Sequence, residues 1–543
     1  MRKTWLIYAA MVPLTLLVAA AQLFSFRHLV PGPDSIAYFE MAGQIARQGY
    51  AEAVSDHWSP LYGLYLFAVG KVFGHSLQQE QFTALAANAV LYLACFAAAF
   101  MFIRSLGRRL WPDDARFAAW AVYGLALAFF LLFGFTKIHL LLPDSMVFIG
   151  VTLNLWAWCH AFQNPRQWRW VVAAAVFGGL SYWARANLLH WSLSAAFLAC
   201  LLCPEWRLGR RLAAAALFCL VLAVVVAPQA AVLSEQKGGF TLGAGKVPFA
   251  EIYGAEWKEG YGRWPLRMAD GDVRVFTDQR QLNFPGFYDP GREYEDAIIS
   301  FRWRLAVRGF LRAMHSLLFG FWSSSFALLW PLLWATWPFF LFVPALGKQR
   351  WTPDDSTAWF LTLAGLAGIG MHLLSFCTGY YLPPYLFPFL TGIAILALNH
   401  SEDTNRLGRA LALVAAGFIC VTCLSTLALF RDASRQSFKQ GHSEMVRLAQ
   451  ALGALPRPDG QLRKVAVAGN WLGLYGVRLS GSQVYADVPD ASAFADAPRL
   501  ARILEVLKEE EVVVLLAQAP VAQESRHLDW KKIDGTSWYL LSL

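Results

Sequence analysis

The sequence predicts an all-α polytopic membrane domain of about 11 transmembrane helices, with helices lying on its outer surface, followed by a small C-terminal α/β domain. Three observations predict it. Of 543 residues, 57% are hydrophobic and only 15% charged, against about 25% charged in a soluble domain. The apolar residues gather in runs close to the roughly 20 residues that cross a bilayer. The short polar stretches between these runs are basic at every second exit, which is how a multi-pass protein fixes its orientation.

The runs fall at 5–26, 82–103, 116–134, 145–162, 170–184, 188–203, 212–232, 324–346, 358–376, 382–398 and 410–430. The fifth and sixth are short and joined by a tight turn at Arg185-Ala186-Asn187. The first begins Met1-Arg2-Lys3 and holds Ala19-Ala20-Ala21, as a cleavable signal would; continuation of the run through Phe26 favours a retained helix. Arg2 and Lys3 precede the first run. Arg104, Arg108 and Arg109 follow the second, Arg166 and Arg169 the fourth, and Arg207, Arg210 and Arg211 the sixth. Lys348 and Arg350 follow the eighth, and Arg406 and Arg409 the tenth. The even exits are therefore expected in the cytoplasm and the odd exits outside. This predicts a bacterial inner-membrane protein with a cytoplasmic N-terminus and a periplasmic C-terminal domain.

Three outward segments are long. Residues 27–81 contain two helix-like stretches, 35–47 and 61–73, suited to the membrane surface. Residues 233–323 are rich in Gly, Pro and aromatics before a basic helix at 294–317. The tail, 431–543, alternates strand-like runs at 464–468, 483–488 and 512–517 with a helical stretch at 493–509. The division is thus a membrane domain over 1–430 and an α/β domain over 431–543.

Composition also excludes functions. The formal charge of +9 is spread through loop clusters and forms no basic domain, so no nucleic-acid partner is expected. The eight Cys lie in or beside apolar runs; the pairs Cys200/Cys203 and Cys420/Cys423 read as packing, not as zinc ligands or disulfides. No run carries Asp, Glu, Lys or Arg near its middle, where an ion-coupled transporter would need them.

Polar chemistry collects instead at the outward ends. Pro33-Asp34-Ser35-Ile36-Ala37-Tyr38 follows the first run, and Pro143-Asp144-Ser145 opens the fourth, so topology puts two carboxylates on one side of the membrane. Such a carboxylate can take a proton from an acceptor hydroxyl; an Asp after Pro at a helix start is also a good N-cap, and both roles stand. His57, in Asp56-His57-Trp58-Ser59-Pro60-Leu61-Tyr62, can ligate a metal or bond a phosphate. Lys137, His139 and Arg185 are the cations placed to meet a phosphate. Arg304, Arg308 and Arg312 share a helix face that suits anionic head groups. Tyr380-Tyr381-Leu382-Pro383-Pro384-Tyr385 opens the tenth run as an aromatic belt or the mouth of a lipid groove.

This order of features resembles the GT-C superfamily of integral-membrane glycosyltransferases. The likeness is nearest to the dolichyl-phosphate-mannose protein mannosyltransferases and the lipid A aminoarabinose transferase. It covers about residues 1–430 in layout and is sharpest at 33–38, 57–62 and 143–145. It implies an enzyme that moves one sugar, with inversion, from a polyprenyl-phosphate carrier to a hydroxyl of a lipid, glycan or protein acceptor. It implies Asp34 as catalytic base and Asp144 as its support, with Tyr38, Lys137, His139, Arg185 and Tyr381 binding substrate or phosphate. His57 falls at a metal position; no cofactor is required, and a divalent metal is an option. The mannosyltransferases carry Asp-Glu where this chain has Asp34-Ser35, so neither relative's substrate transfers. A lipid-linked glycan flippase or a glycan ligase is the alternative.

Overall fold

The computed structural model describes residues 2–55, 57–74, 79–112, 115–136, 138–139, 141–164, 166–203, 205–243, 255–256, 266–269, 273–276, 298–299, 307, 353–374, 381–400, 404–434, 437–456, 462–468, 473–488, 491–518, 521–522, 525 and 527–543. In chain order the helices are α1 (Arg2–Phe26), α2 (Pro33–Gln48), α3 (Tyr50–Ala53), α4 (Pro60–Phe73), α5 (Glu80–Leu110), α6 (Ala115–Phe129) and α7 (Asp144–Gln163). They continue as α8 (Arg169–Ala184), α9 (Leu188–Leu202), α10 (Leu208–Lys237), α11 (Pro353–Leu374), α12 (Pro383–His400), α13 (Thr404–Ser434), α14 (Ser437–Gly453), α15 (Gly473–Leu479) and α16 (Ala497–Glu509). The chain divides into two compact units, one of Met1–Ser25, Ala86–Ala244 and Phe301–Asp432, the other of Phe26–Leu85, Gly245–Ser300 and Ala433–Leu543.

The first unit is the helical one. Helices occupy ten of the eleven expected runs; the eighth run, 324–346, and the arginines at 304, 308 and 312 lie outside the described residues. Among the described residues, six helices are long and apolar enough to cross a membrane by length and composition, so this is a multi-pass membrane protein. Large apolar side chains such as Leu17, Phe197, Leu220 and Leu413 are exposed, as a lipid-facing surface requires. The helices meet closely: a Cβ at Gly365 of α11 would lie 2.7 Å from the carbonyl of Tyr385 and from the amide of Phe389 in α12. The seven described cysteines are free.

The third run departs from a plain helix. α6 ends at Phe129 and the chain continues as a π-helix, Phe130–Thr136. The Gln22 side chain of α1 donates to the Phe133 carbonyl at 2.6 Å, and Thr136 turns its hydroxyl back onto the Leu132 carbonyl at 2.9 Å. Such inserted side chains compete with the regular ladder, the usual cause of a local change in helical pitch.

The second unit joins α2–α4 to a mixed sheet. Its seven strands, in spatial order, are β2 (Leu266–Ala269), β3 (Val273–Phe276), β6 (Gln483–Val488), β5 (Lys464–Ala468), β7 (Val514–Gln518), β9 (Trp538–Ser542) and β8 (Lys531–Lys532). A separate antiparallel pair is β1 (Ala255–Glu256) with β4 (Ile298–Ile299). β5 pairs in parallel with β6 and β7, and its inner residues are buried, which explains its unbroken apolar run. The core under the sheet includes Ala466, Ala486, Leu515, Leu500, Ile503 and Val275. Two of its strands, β2 and β3, come from the 233–323 segment, with Arg274 and Val275 opposite Asp487 and Ala486. Sequence patterning marked no strand there.

Candidate active site

In the helical unit the sequence-predicted residues Asp144, Arg185 and Tyr381 come together. Asp144 is the first residue of α7, behind an N-cap that is Pro143. A carboxylate in a helix's first turn is favoured by the dipole of the exposed N–H groups. Arg185 leaves α8 in extended backbone, held by its amide on the Ser181 carbonyl at 2.8 Å, while its carbonyl takes the Leu188 amide at 2.9 Å. This tight turn aims the guanidinium at Asp144, with Nη2 3.0 Å from Oδ1. The pair is 18% and 6% exposed, so solvent screens it weakly. Tyr381 lies under the guanidinium, its ring centroid 3.9 Å from Cζ. The cation is thus fixed from two sides, by a charge and by a π face. Its planar fork of N–H donors matches phosphate oxygens.

Sequence reasoning missed what lies behind Tyr381. His372 of α11 is 2% exposed. Its ring stands 5.5 Å from that of Tyr381, and its Nε2 is 3.3 Å from the Tyr385 hydroxyl. A lone His inside an apolar run carries no spacing signal. Beside Asp144 is a narrow cavity lined by Tyr92, Thr136, Ser145, Pro383 and Pro384 among others. The segment leading to Asp144 is pinned at Ile138: its amide donates to Gln22 Oε1 at 3.2 Å, and its carbonyl accepts from Asn88 Nδ2 at 2.7 Å. His139 follows, part-exposed, while Lys137 lies outside the described residues.

The other candidates belong to the second unit. Asp34 sits part-exposed in the first turn of α2, whose N-cap is Gly32. Neither aspartate therefore takes the capping position. Tyr38 is 3% exposed and meets Trp58 and Tyr62 edge-on, at 5.4 Å and 5.2 Å between ring centroids. This aromatic cluster joins α2 to α4, and Gly63 lets Met41 approach within 2.4 Å of where a Cβ would stand. His57 is part-exposed, its amide on Ser55 Oγ at 3.1 Å and its ring against Trp58. Asp56 lies outside the described residues. Among the described residues, no three His, Cys, Asp or Glu side chains converge as a metal site.

The same unit holds a charge cluster that no motif announced. Glu40, in mid-α2, is fully buried and accepts from Arg478 of α15. Arg478, 3% exposed, also binds Glu80 of α5 through Nη2 at 2.7 Å and Nε at 3.2 Å. Arg47 reaches the other Glu40 oxygen at 2.9 Å. Burial by itself would lower the Arg478 pKa; Glu80 and Glu40 outweigh it and hold the group above the usual arginine value, so it stays charged.

No protein-family model matches the sequence, and no curated protein does. Solved structures do. ArnT from Cupriavidus metallidurans bound to undecaprenyl phosphate aligns over 98% of this chain and 97% of its own, at TM-score 0.57 and 14% identity. This chain has the GT-C fold. The apo form of the same ArnT matches this chain at TM-score 0.57 and 13% identity, with the same coverage. An Archaeoglobus fulgidus oligosaccharyltransferase, in complex with zinc and sulfate, aligns at TM-score 0.45 and 13% identity over 93% of this chain and 68% of its own. Identity this low within the GT-C fold leaves the chemistry to be argued from the site.

Proposed function

We propose that this GT-C protein is an inverting glycosyltransferase. It transfers one sugar from a polyprenyl-phosphate carrier to an acceptor hydroxyl at the periplasmic face of a bacterial inner membrane. The observation that carries the reading is the Asp144–Arg185–Tyr381 cluster: a weakly screened, pre-oriented guanidinium in a fold whose ArnT neighbour was crystallised with undecaprenyl phosphate. Arg185 binds the carrier phosphate and stabilises the charge that develops on it as the glycosidic bond breaks. Asp144 orients Arg185. Asp34 takes the proton from the acceptor hydroxyl as that oxygen attacks the anomeric carbon. The carrier leaves as polyprenyl phosphate, and one displacement inverts the anomeric centre. Lys137 and His139, preceding Asp144, add positive charge near the phosphate, and Tyr38 borders the base. His57 is the candidate ligand if a divalent metal takes part. The α/β domain, 431–543, faces the periplasm.

A deletion strain carrying either the wild-type gene or Asp34→Asn tests the base, with both proteins confirmed in the membrane. Mass spectrometry of lipids and surface glycans should show the mutant matching the deletion, lacking one glycan and accumulating a polyprenyl-phosphate sugar. A positioned base contributes about 10²–10⁴-fold, so little product should remain. A wild-type glycan profile from Asp34→Asn would remove Asp34 from the mechanism.

A further inference from the structure

We infer that Arg478 is a positioning residue: by clamping Glu40 and Glu80 it fixes the rotation and register of α2, and so the place of Asp34. The inference rests on the transferase reading for the role of Asp34, but its structural half does not. Three features of the second unit carry it. First, residues 35–42 of α2 are all buried, so no side of the helix faces solvent over that stretch and packing sets its orientation there. Apolar packing contributes through the edge-on contacts of Tyr38 with Trp58 and Tyr62 and through Met41 against Gly63, and such contacts constrain angle less sharply than a charged, hydrogen-bonded pair does. Second, the only charge in that stretch is Glu40, fully buried. A buried carboxylate is tolerated where it is paired; Arg47 of α2 itself takes one oxygen of Glu40 and Arg478 takes the other, and of these two contacts the one with Arg478 ties α2 to another element. Third, the pairing is directional. Arg478 uses its fork on Glu80 and a further nitrogen on Glu40, which constrains angle as well as distance. Turning α2 by one residue swings Glu40 through about 100° and breaks the contact. Asp34 lies six positions earlier on the same rigid helix, so the turn that displaces Glu40 displaces Asp34 equally.

The assignment gives the α/β domain a task in catalysis: α15, between strands β5 and β6 of the sheet, delivers the arginine that registers the helix carrying the base. A buried polar contact that specifies register is a known use of buried charge, distinct from stabilisation.

The test uses the full chain in detergent and in the complemented deletion strain. Two variants are compared with wild type: Arg478→Lys, which keeps the charge and loses the fork, and the triple change Glu40→Leu, Glu80→Leu, Arg478→Met, which replaces the network by apolar side chains. Hydrogen exchange over residues 33–48 and the thermal midpoint are read on purified protein, and the surface glycan in cells. The expected result is at least tenfold faster exchange over 33–48 in Arg478→Lys, with at least tenfold less glycan. The triple variant should keep a wild-type thermal midpoint and remain at least tenfold deficient. A purely stabilising cluster would instead give a triple variant that is both stable and active, which overturns the inference. Wild-type exchange in Arg478→Lys overturns it as well, as does faster exchange with an unchanged glycan. Failure of the transferase reading is separately visible: the deletion strain itself would then show a wild-type glycan profile while Arg478→Lys still loosened α2.

Discussion

At Arg185 a charge, a ring and a backbone turn act on one side chain, and their contributions separate by substitution. Arg185→Ala removes the proposed phosphate-binding donor and should lower transfer by about 10²–10³-fold, the range for losing one transition-state donor. Tyr381→Phe keeps the π face under the guanidinium and should be mild. Tyr381→Leu loses that face and with it a contact worth about 0.5–2 kcal/mol. Quantifying the glycan product for the three variants gives the order expected: Arg185→Ala far below Tyr381→Leu, and Tyr381→Leu below Tyr381→Phe. Equal losses for the two tyrosine variants would mean that the hydroxyl, and not the ring, matters. The candidates Asp34, Asp144 and Arg185 were legible as residues because charge is rare in this chain and its placement after Pro or in a tight turn stands out. Glu40 was not legible. A Glu in an amphipathic stretch reads as solvated until its partner, 438 residues away, is seen.

Elements show the same division. The runs that became helices were read to within seven residues at either end, since spanning length and hydropathy constrain them directly. The π-helix at Phe130–Thr136 was hidden, because one of the side chains that enters its hydrogen-bond ladder is a glutamine on α1. The close pairing of α11 and α12 was hidden as well. It depends on Gly365, where an added methyl would meet backbone atoms that cannot step aside. Gly365→Ala should therefore destabilise by about 1–3 kcal/mol, as overpacking does. A lower thermal midpoint in detergent would show it, with a secondary loss of transfer, since α11 and α12 carry His372 and Tyr385 behind Tyr381.

For the molecule as a whole, the alternation of basic exits predicts an outward C-terminal end. Alkaline phosphatase fused after Leu543 should be active, and a fusion in the basic stretch at 207–211 inactive; the reverse pattern would place the candidate site in the cytoplasm. The sequence alone was enough for the class of protein, the helices of the apolar runs, strands β5, β6 and β7 of the tail, and Asp34, Asp144 and Arg185 as candidates. These follow from local quantities: the length of an apolar run, the sign of a loop, the period of a pattern. The tertiary structure decided which residues share a site, and it joined β2 and β3 of the middle segment to the C-terminal sheet. It also buried Glu40 against Arg478. These are pairings between distant parts of the chain, and neither partner in such a pairing carries a local trace of the other.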